Sequence, residues 1–95
     1  MFVFNLTYAK PLSEVERVLP DHAAYLDRYY GLGKFVCSGR KHPRTGGVIL
    51  CAAADAAEAG AIMREDPFFV EGIASYEVIE FQPSKYAEAF RAFVS

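Results

Sequence analysis

The sequence predicts an α+β fold with the element order β-α-β-β-α-β, and three observations predict it. Apolar residues alternate with period two over the first nine positions. Helix-start signals followed by helical spacing occur at Ser13 and again at Asp55, and a nearly all-apolar run from Gly46 to Ala54 lies between them behind a Pro- and Gly-containing turn. With 95 residues there is room for one core, so one domain over residues 1–95 is expected.

Phe2, Phe4, Leu6 and Tyr8 alternate with Met1, Val3, Asn5, Thr7 and Ala9, which reads as a first strand with apolar content on both faces. After Lys10-Pro11, Ser13-Glu14-Val15-Glu16 matches a capping box, in which a hydroxyl and a carboxylate satisfy each other's backbone donors, so a helix is expected to begin there. Pro20 cannot donate to the preceding turn and is expected to interrupt that helix. A second aromatic-rich run from His22 to Tyr30 then ends at Gly31 and Gly33. Lys34 to Arg40 and Gly46 to Ala54 read as the two strands of a hairpin, turned by Pro43 and Gly46-Gly47. Asp55 and Glu58 make a second capping box ahead of an alanine-rich helix that stops before Asp66-Pro67. Ile73 to Phe81 is the fourth strand, and Ser84 to Val94 a closing helix with Tyr86, Phe90, Phe93 and Val94 on one face, docking through Tyr86 and Phe90. This order is the split βαβ arrangement of ferredoxin-like folds.

Two helices cover only one face of such a sheet. The first and third strands offer Phe, Val, Ile and Leu at both alternating sets of positions, so the second face also needs a cover. A second copy packed sheet to sheet, or the closing helix folded across, would supply it. A homodimer is the main expectation.

Composition excludes several classes of function. An apolar share of 53% with 23% charged residues is globular, and no stretch approaches the roughly 18 consecutive apolar residues of a membrane span. The start MFVFNLTYAK lacks the basic, apolar and small-residue segments of a secretory signal, so a cytoplasmic protein is expected, without a membrane partner. Cys37 and Cys51 each lie in a strand-like run and read as buried free thiols rather than a disulfide or metal site. A formal charge of −2 gives no general attraction to phosphate backbones, and the third strand, Gly47 to Ala53, carries no aromatic on which a base could stack. Nucleic acid is therefore not an expected partner. There is no phosphate-cradling glycine loop and no clustered metal site, and a haem ligated by His22 has no second supporting feature, so no cofactor is expected.

Any chemistry must then rest on side chains. His22 and Asp66 can converge, because both crossover helices lie on one side of the sheet and the end of the second can approach the first. A carboxylate bonded to one imidazole nitrogen fixes the tautomer and raises basicity, as a general base near neutral pH requires. The alternative is structural: His22 packs a helix face against the sheet, and Asp66 caps a turn at Pro67. Tyr8 and Tyr25 could line the same cavity or belong to the core.

Asp21-His22-Ala23-Ala24-Tyr25-Leu26, Gly33-Lys34-Phe35-Val36-Cys37-Ser38-Gly39, Gly46-Gly47-Val48-Ile49-Leu50, and Asp66-Pro67-Phe68 with Gly72 form an ordered set that resembles the YCII-related (YciI-like) family. The resemblance covers nearly the whole chain. It implies a dimeric α/β-barrel form of the ferredoxin-like fold, a site built on His22 and Asp66, and a pocket mouth at Ser38 and Gly39. Relatives usually continue with proline after Ser-Gly, whereas this chain has the basic loop Arg40-Lys41-His42-Pro43-Arg44. Such a loop either favours an anionic substrate at the rim or is a solvated hairpin. A few relatives are similar to enzymes that act on ring-derived small molecules by dehydrochlorination or isomerisation. Two functions follow as expectations: a cofactor-independent small-molecule enzyme using His22 and Asp66 for proton transfer, elimination or isomerisation, or a noncatalytic small-molecule-binding or interaction domain.

Overall fold

The alternation at the N-terminus becomes β1 (Phe2–Tyr8), which buries Phe2, Phe4 and Leu6 and turns Val3, Asn5 and Thr7 to the opposite face. The computed structural model describes residues 1–94. After β1 come α1 (Leu12–Gly31), β2 (Phe35–Arg40), β3 (Gly46–Cys51), α2 (Ala56–Arg64), a short α3 (Pro67–Val70), β4 (Ala74–Glu80) and a 3-10 helix (Glu88–Phe93). The sheet is antiparallel throughout, in the order β2-β3-β1-β4. That is the α+β, ferredoxin-like arrangement the element order predicts.

Helix α1 departs from its sequence signals in two ways. It starts at Leu12, with Pro11 at the N-cap and no side-chain cap, so the Ser13-Glu16 box does not form. The Pro11 carbonyl accepts instead from Glu14 and Val15 N–H, and Glu14 pairs with Arg17. Pro20 does not break the helix either. It is exposed, while the buried stripe Val15, Val18, His22, Tyr25 and Tyr29 runs past it at spacings of three and four. Continuous burial of that stripe outweighs one lost backbone hydrogen bond.

The stripe packs on Phe2, Phe4, Leu6, Phe35 and Ile49 from the strands to make the core. Strand β2 is bulged between Phe35 and Cys37. The extra residue flips the alternation, so Phe35 faces the helices opposite Cys51, whereas Cys37 pairs with Leu50 on the other face. Cys37 is accordingly exposed and only Cys51 is buried, contrary to the expectation for both thiols. Strand β3 ends at Cys51, three residues short of its expected end.

Helix α2 is capped as predicted, Asp55 accepting from Glu58 N–H at 2.8 Å. The Glu58 carboxylate returns to Ala54 N–H and also pairs with Lys34. These contacts hold the Glu58 carboxyl below the usual range, chiefly through Lys34. The closing helix is shorter than expected and of the 3-10 type, and none of its residues is buried. Tyr86 and Phe90 are half-buried, and Phe93 remains exposed.

Candidate active site

His22 occupies the middle of the buried stripe of α1, so its ring faces the sheet rather than solvent. The C-terminal end of α2 is clamped against it. Tyr25 donates its hydroxyl to the Ile62 carbonyl at 2.8 Å, Tyr29 donates to Glu65 at 2.7 Å, and Arg28 pairs with the same carboxylate at 2.8 Å. One residue further on, Asp66 N–H closes the last turn onto the Met63 carbonyl. Asp66 then caps α3, its Oδ1 accepting from Phe68 N–H at 2.9 Å, with Pro67 in the first turn where its missing N–H costs nothing.

These constraints bring Asp66 Oδ1 to 2.7 Å from His22 Nδ1. One carboxylate oxygen thus both caps the turn and meets the imidazole. Asp66 is fully buried. Its second oxygen accepts from the Tyr76 hydroxyl, a partner the sequence reading missed. Tyr76 was legible in principle: in β4 it shares the helix-facing side with Ala74 and Val78, and it pairs with Leu6 across to β1. Burial, followed by the Asp66 charge, raises the Tyr76 phenol well above its ordinary pKa, and the same causes raise Tyr25.

The imidazole is also fixed in orientation. Phe68 stacks on it, with centroids 4.0 Å apart and planes 5° from parallel. Because the carboxylate only accepts, Nδ1 is the donor, and Nε2 is left as the nitrogen free of a partner among the described residues.

His22 lines a cavity of about 180 Å³ between α1 and the sheet. Leu6, Leu19, Leu26 and Ile49 form apolar walls, and Tyr8, Ser38 and Gly39 also border it. Four of the expected site residues, Tyr8, His22, Ser38 and Gly39, thus converge on one space, with Asp66 behind the histidine. Tyr25 does not. Its hydroxyl is committed to Ile62 and its ring packs in the core against Tyr29 and Phe35, so it supports the site from within. A glycine is required where β3 begins: a Cβ at Gly46 would lie 1.8 Å from the Leu6 carbonyl oxygen. Among the described residues no group of three or more His, Cys, Asp or Glu side chains could hold a metal ion. No helix among them is long and apolar enough to cross a membrane.

Residues 1–82 match the family model of the YCII-related domain. The chain belongs to the YCII-related family. Among solved structures it is similar to 5-chloro-2-hydroxyhydroquinone dehydrochlorinase (TftG) from Burkholderia phenoliruptrix, in complex with 2,5-dihydroxybenzoquinone. The TM-score is 0.72 at 19% identity, over 94% of this chain and 98% of the other, a likeness of fold. No curated protein matches the sequence.

In this YCII-related chain the Ser38 hydroxyl is hydrogen-bonded to that of Tyr30 at 2.7 Å, which holds it at the cavity mouth. The basic loop is less free than a solvated hairpin. Lys41 N–H bonds to the Gly46 carbonyl at 2.9 Å and Tyr8 N–H to the Thr45 carbonyl at 2.8 Å, and Arg40 and Arg44 both border the cavity. Arg44 pairs with Glu16 at 2.8 Å. That carboxylate, and after it the Tyr8 hydroxyl, raises the arginine's pKa further.

Proposed function

We propose that this protein is a cofactor-independent enzyme acting on a small ring-derived molecule, with His22 transferring the proton and Asp66 orienting it. The observation that carries this reading is the 2.7 Å bond from His22 Nδ1 to a fully buried carboxylate, which leaves Nε2 unpartnered on a largely apolar cavity. A fixed neutral imidazole of this kind can accept a proton from an acidic O–H or C–H of the ligand. The electron pair released then either expels a leaving group with its bonding electrons, an elimination, or is reprotonated at another carbon, an isomerisation. Asp66 stabilises the transient imidazolium without taking its proton. Family membership and the fold shared with a dehydrochlorinase support this class of chemistry.

The experiment is turnover of a panel of hydroxylated and halogenated ring compounds by wild type, His22→Ala and Asp66→Asn. Consumption of at least one compound by the wild type, falling about 10²- to 10⁴-fold in His22→Ala with binding retained, is the expected result. Binding with no turnover anywhere in the panel would instead make the protein a noncatalytic ligand-binding domain.

A homodimer fits the uncovered sheet face. Cys37, Leu50, Val3 and Ile79 are register partners in one row across all four strands, and Val48 and Ile79 remain 40% and 46% exposed. A second copy packed on that row would remove it from water.

A further inference from the structure

The cavity wall carries two guanidinium groups, Arg40 and Arg44, and no carboxylate. Arg44 Nη1 donates to Glu16 at 2.8 Å. Its Nε is shut off even from a water-sized group, so what the arginine presents to the cavity is the rest of the guanidinium. The arginine is not at a free loop tip, because the backbone bonds of Lys41 to Gly46 and of Tyr8 to Thr45 fix the turn on both sides. His22 borders the same cavity, whose volume of about 180 Å³ suits one small ring.

We infer that the ligand is an anion: a small ring compound whose carboxylate, or ionised phenol or enol, lies against Arg44 and so presents the rest of the ring to His22. The inference rests on the reading of this cavity as the ligand site, and it adds the class of molecule and the residue that selects it. Arg44 offers the guanidinium edge that Glu16 leaves free as a charge-assisted donor, with Arg40 adding positive potential at the mouth. Neutral rings of the same shape gain no charge-assisted bond from either guanidinium, so they are held far more weakly.

The test is binding, which does not require turnover. Benzoate and 4-nitrophenolate are titrated by NMR against their neutral counterparts benzamide and 4-nitroanisole, using wild type, Arg44→Gln, Arg44→Lys and His22→Ala. The expected result is that one or both anions bind while the neutral counterparts do not, with shifts at Ser38 and Gly39. The arm that binds tells a carboxylate from a phenolate. Arg44→Gln should weaken that anion at least about tenfold, Arg44→Lys should restore part of the affinity, and His22→Ala should still bind it. Equal binding of neutral and anionic rings by the wild type, no binding of either anion, or unchanged anion affinity in a folded Arg44→Gln would overturn the inference. The wild-type comparison decides the matter even if Arg44→Gln does not fold. Turnover of a neutral ring with no anion selectivity would defeat this inference and leave the proposed enzyme standing. Arg44-dependent anion binding without turnover of any ring acid would do the reverse.

Discussion

Asp66 is the residue on which both stability and site geometry turn. Its two oxygens answer three donors, His22 Nδ1, Phe68 N–H and the Tyr76 hydroxyl, in a place with no water access. Asp66→Ala leaves all three without an acceptor and should cost about 3 kcal/mol by chemical denaturation, with the His22 ring losing its fixed tautomer in nitrogen NMR. Tyr76→Phe removes one donor and should cost about 1–2 kcal/mol while Nδ1 stays protonated. An unchanged midpoint in Asp66→Ala would show that the carboxylate is not holding the end of α2. The tyrosines give a second test. Tyr25 and Tyr76 have phenols raised by burial and by Asp66, so the stability they contribute is complete below the ordinary phenol value of about 10 and is lost as pH climbs above it. Ultraviolet titration should show the exposed tyrosines ionising first and these two only together with unfolding. Ionisation of all six tyrosines near pH 10 in a folded protein would contradict the buried, acceptor-paired geometry.

At the scale of elements, α1 shows packing overriding local signals. Its start ignores the box at Ser13, and its middle accommodates Pro20 because that residue is on the exposed side of the helix. Pro20→Ala restores an N–H for the Glu16 carbonyl and should stabilise the protein by about 1–3 kcal/mol, read from the urea midpoint. A loss of stability would mean that the proline's stiffening of the unfolded chain outweighs the hydrogen bond it forgoes in the helix. The strand bulge at Val36 is equally decisive. Alternation from Phe35 places Cys37 inside, and only the tertiary register reveals the inserted residue that turns it out. The α2 cap, by contrast, was readable from Asp55 and Glu58 alone, since both partners lie within one turn.

At the scale of the whole molecule the second sheet face calls for a cover. The row Cys37, Leu50, Val3 and Ile79 presents apolar or thiol side chains across the full width of the sheet. Light scattering at micromolar concentration should give twice the chain mass of 10.5 kDa, with an interface above about 1,000 Å². Placing a charge in the row, as Ile79→Lys or Leu50→Lys, should yield folded monomer. A monodisperse wild-type monomer would refute the dimer and leave the face to another cover.

The sequence by itself determined the order of elements, the strand positions in β1, the cap at Asp55 and the pairing of His22 with Asp66 as a candidate, because these rest on period, turn chemistry and an ordered set of motifs. Tertiary structure alone decided that Tyr76 joins Asp66, that Tyr25 is spent on the Ile62 carbonyl, and that Arg44 borders the cavity. The reason is range. Tyr76 lies ten residues from Asp66, Tyr25 thirty-seven from Ile62, and the loop is held at the cavity by bonds such as that of Tyr8 N–H to the Thr45 carbonyl, thirty-seven residues apart. No local pattern encodes a hydrogen bond whose partner is fixed by how a helix end meets a sheet.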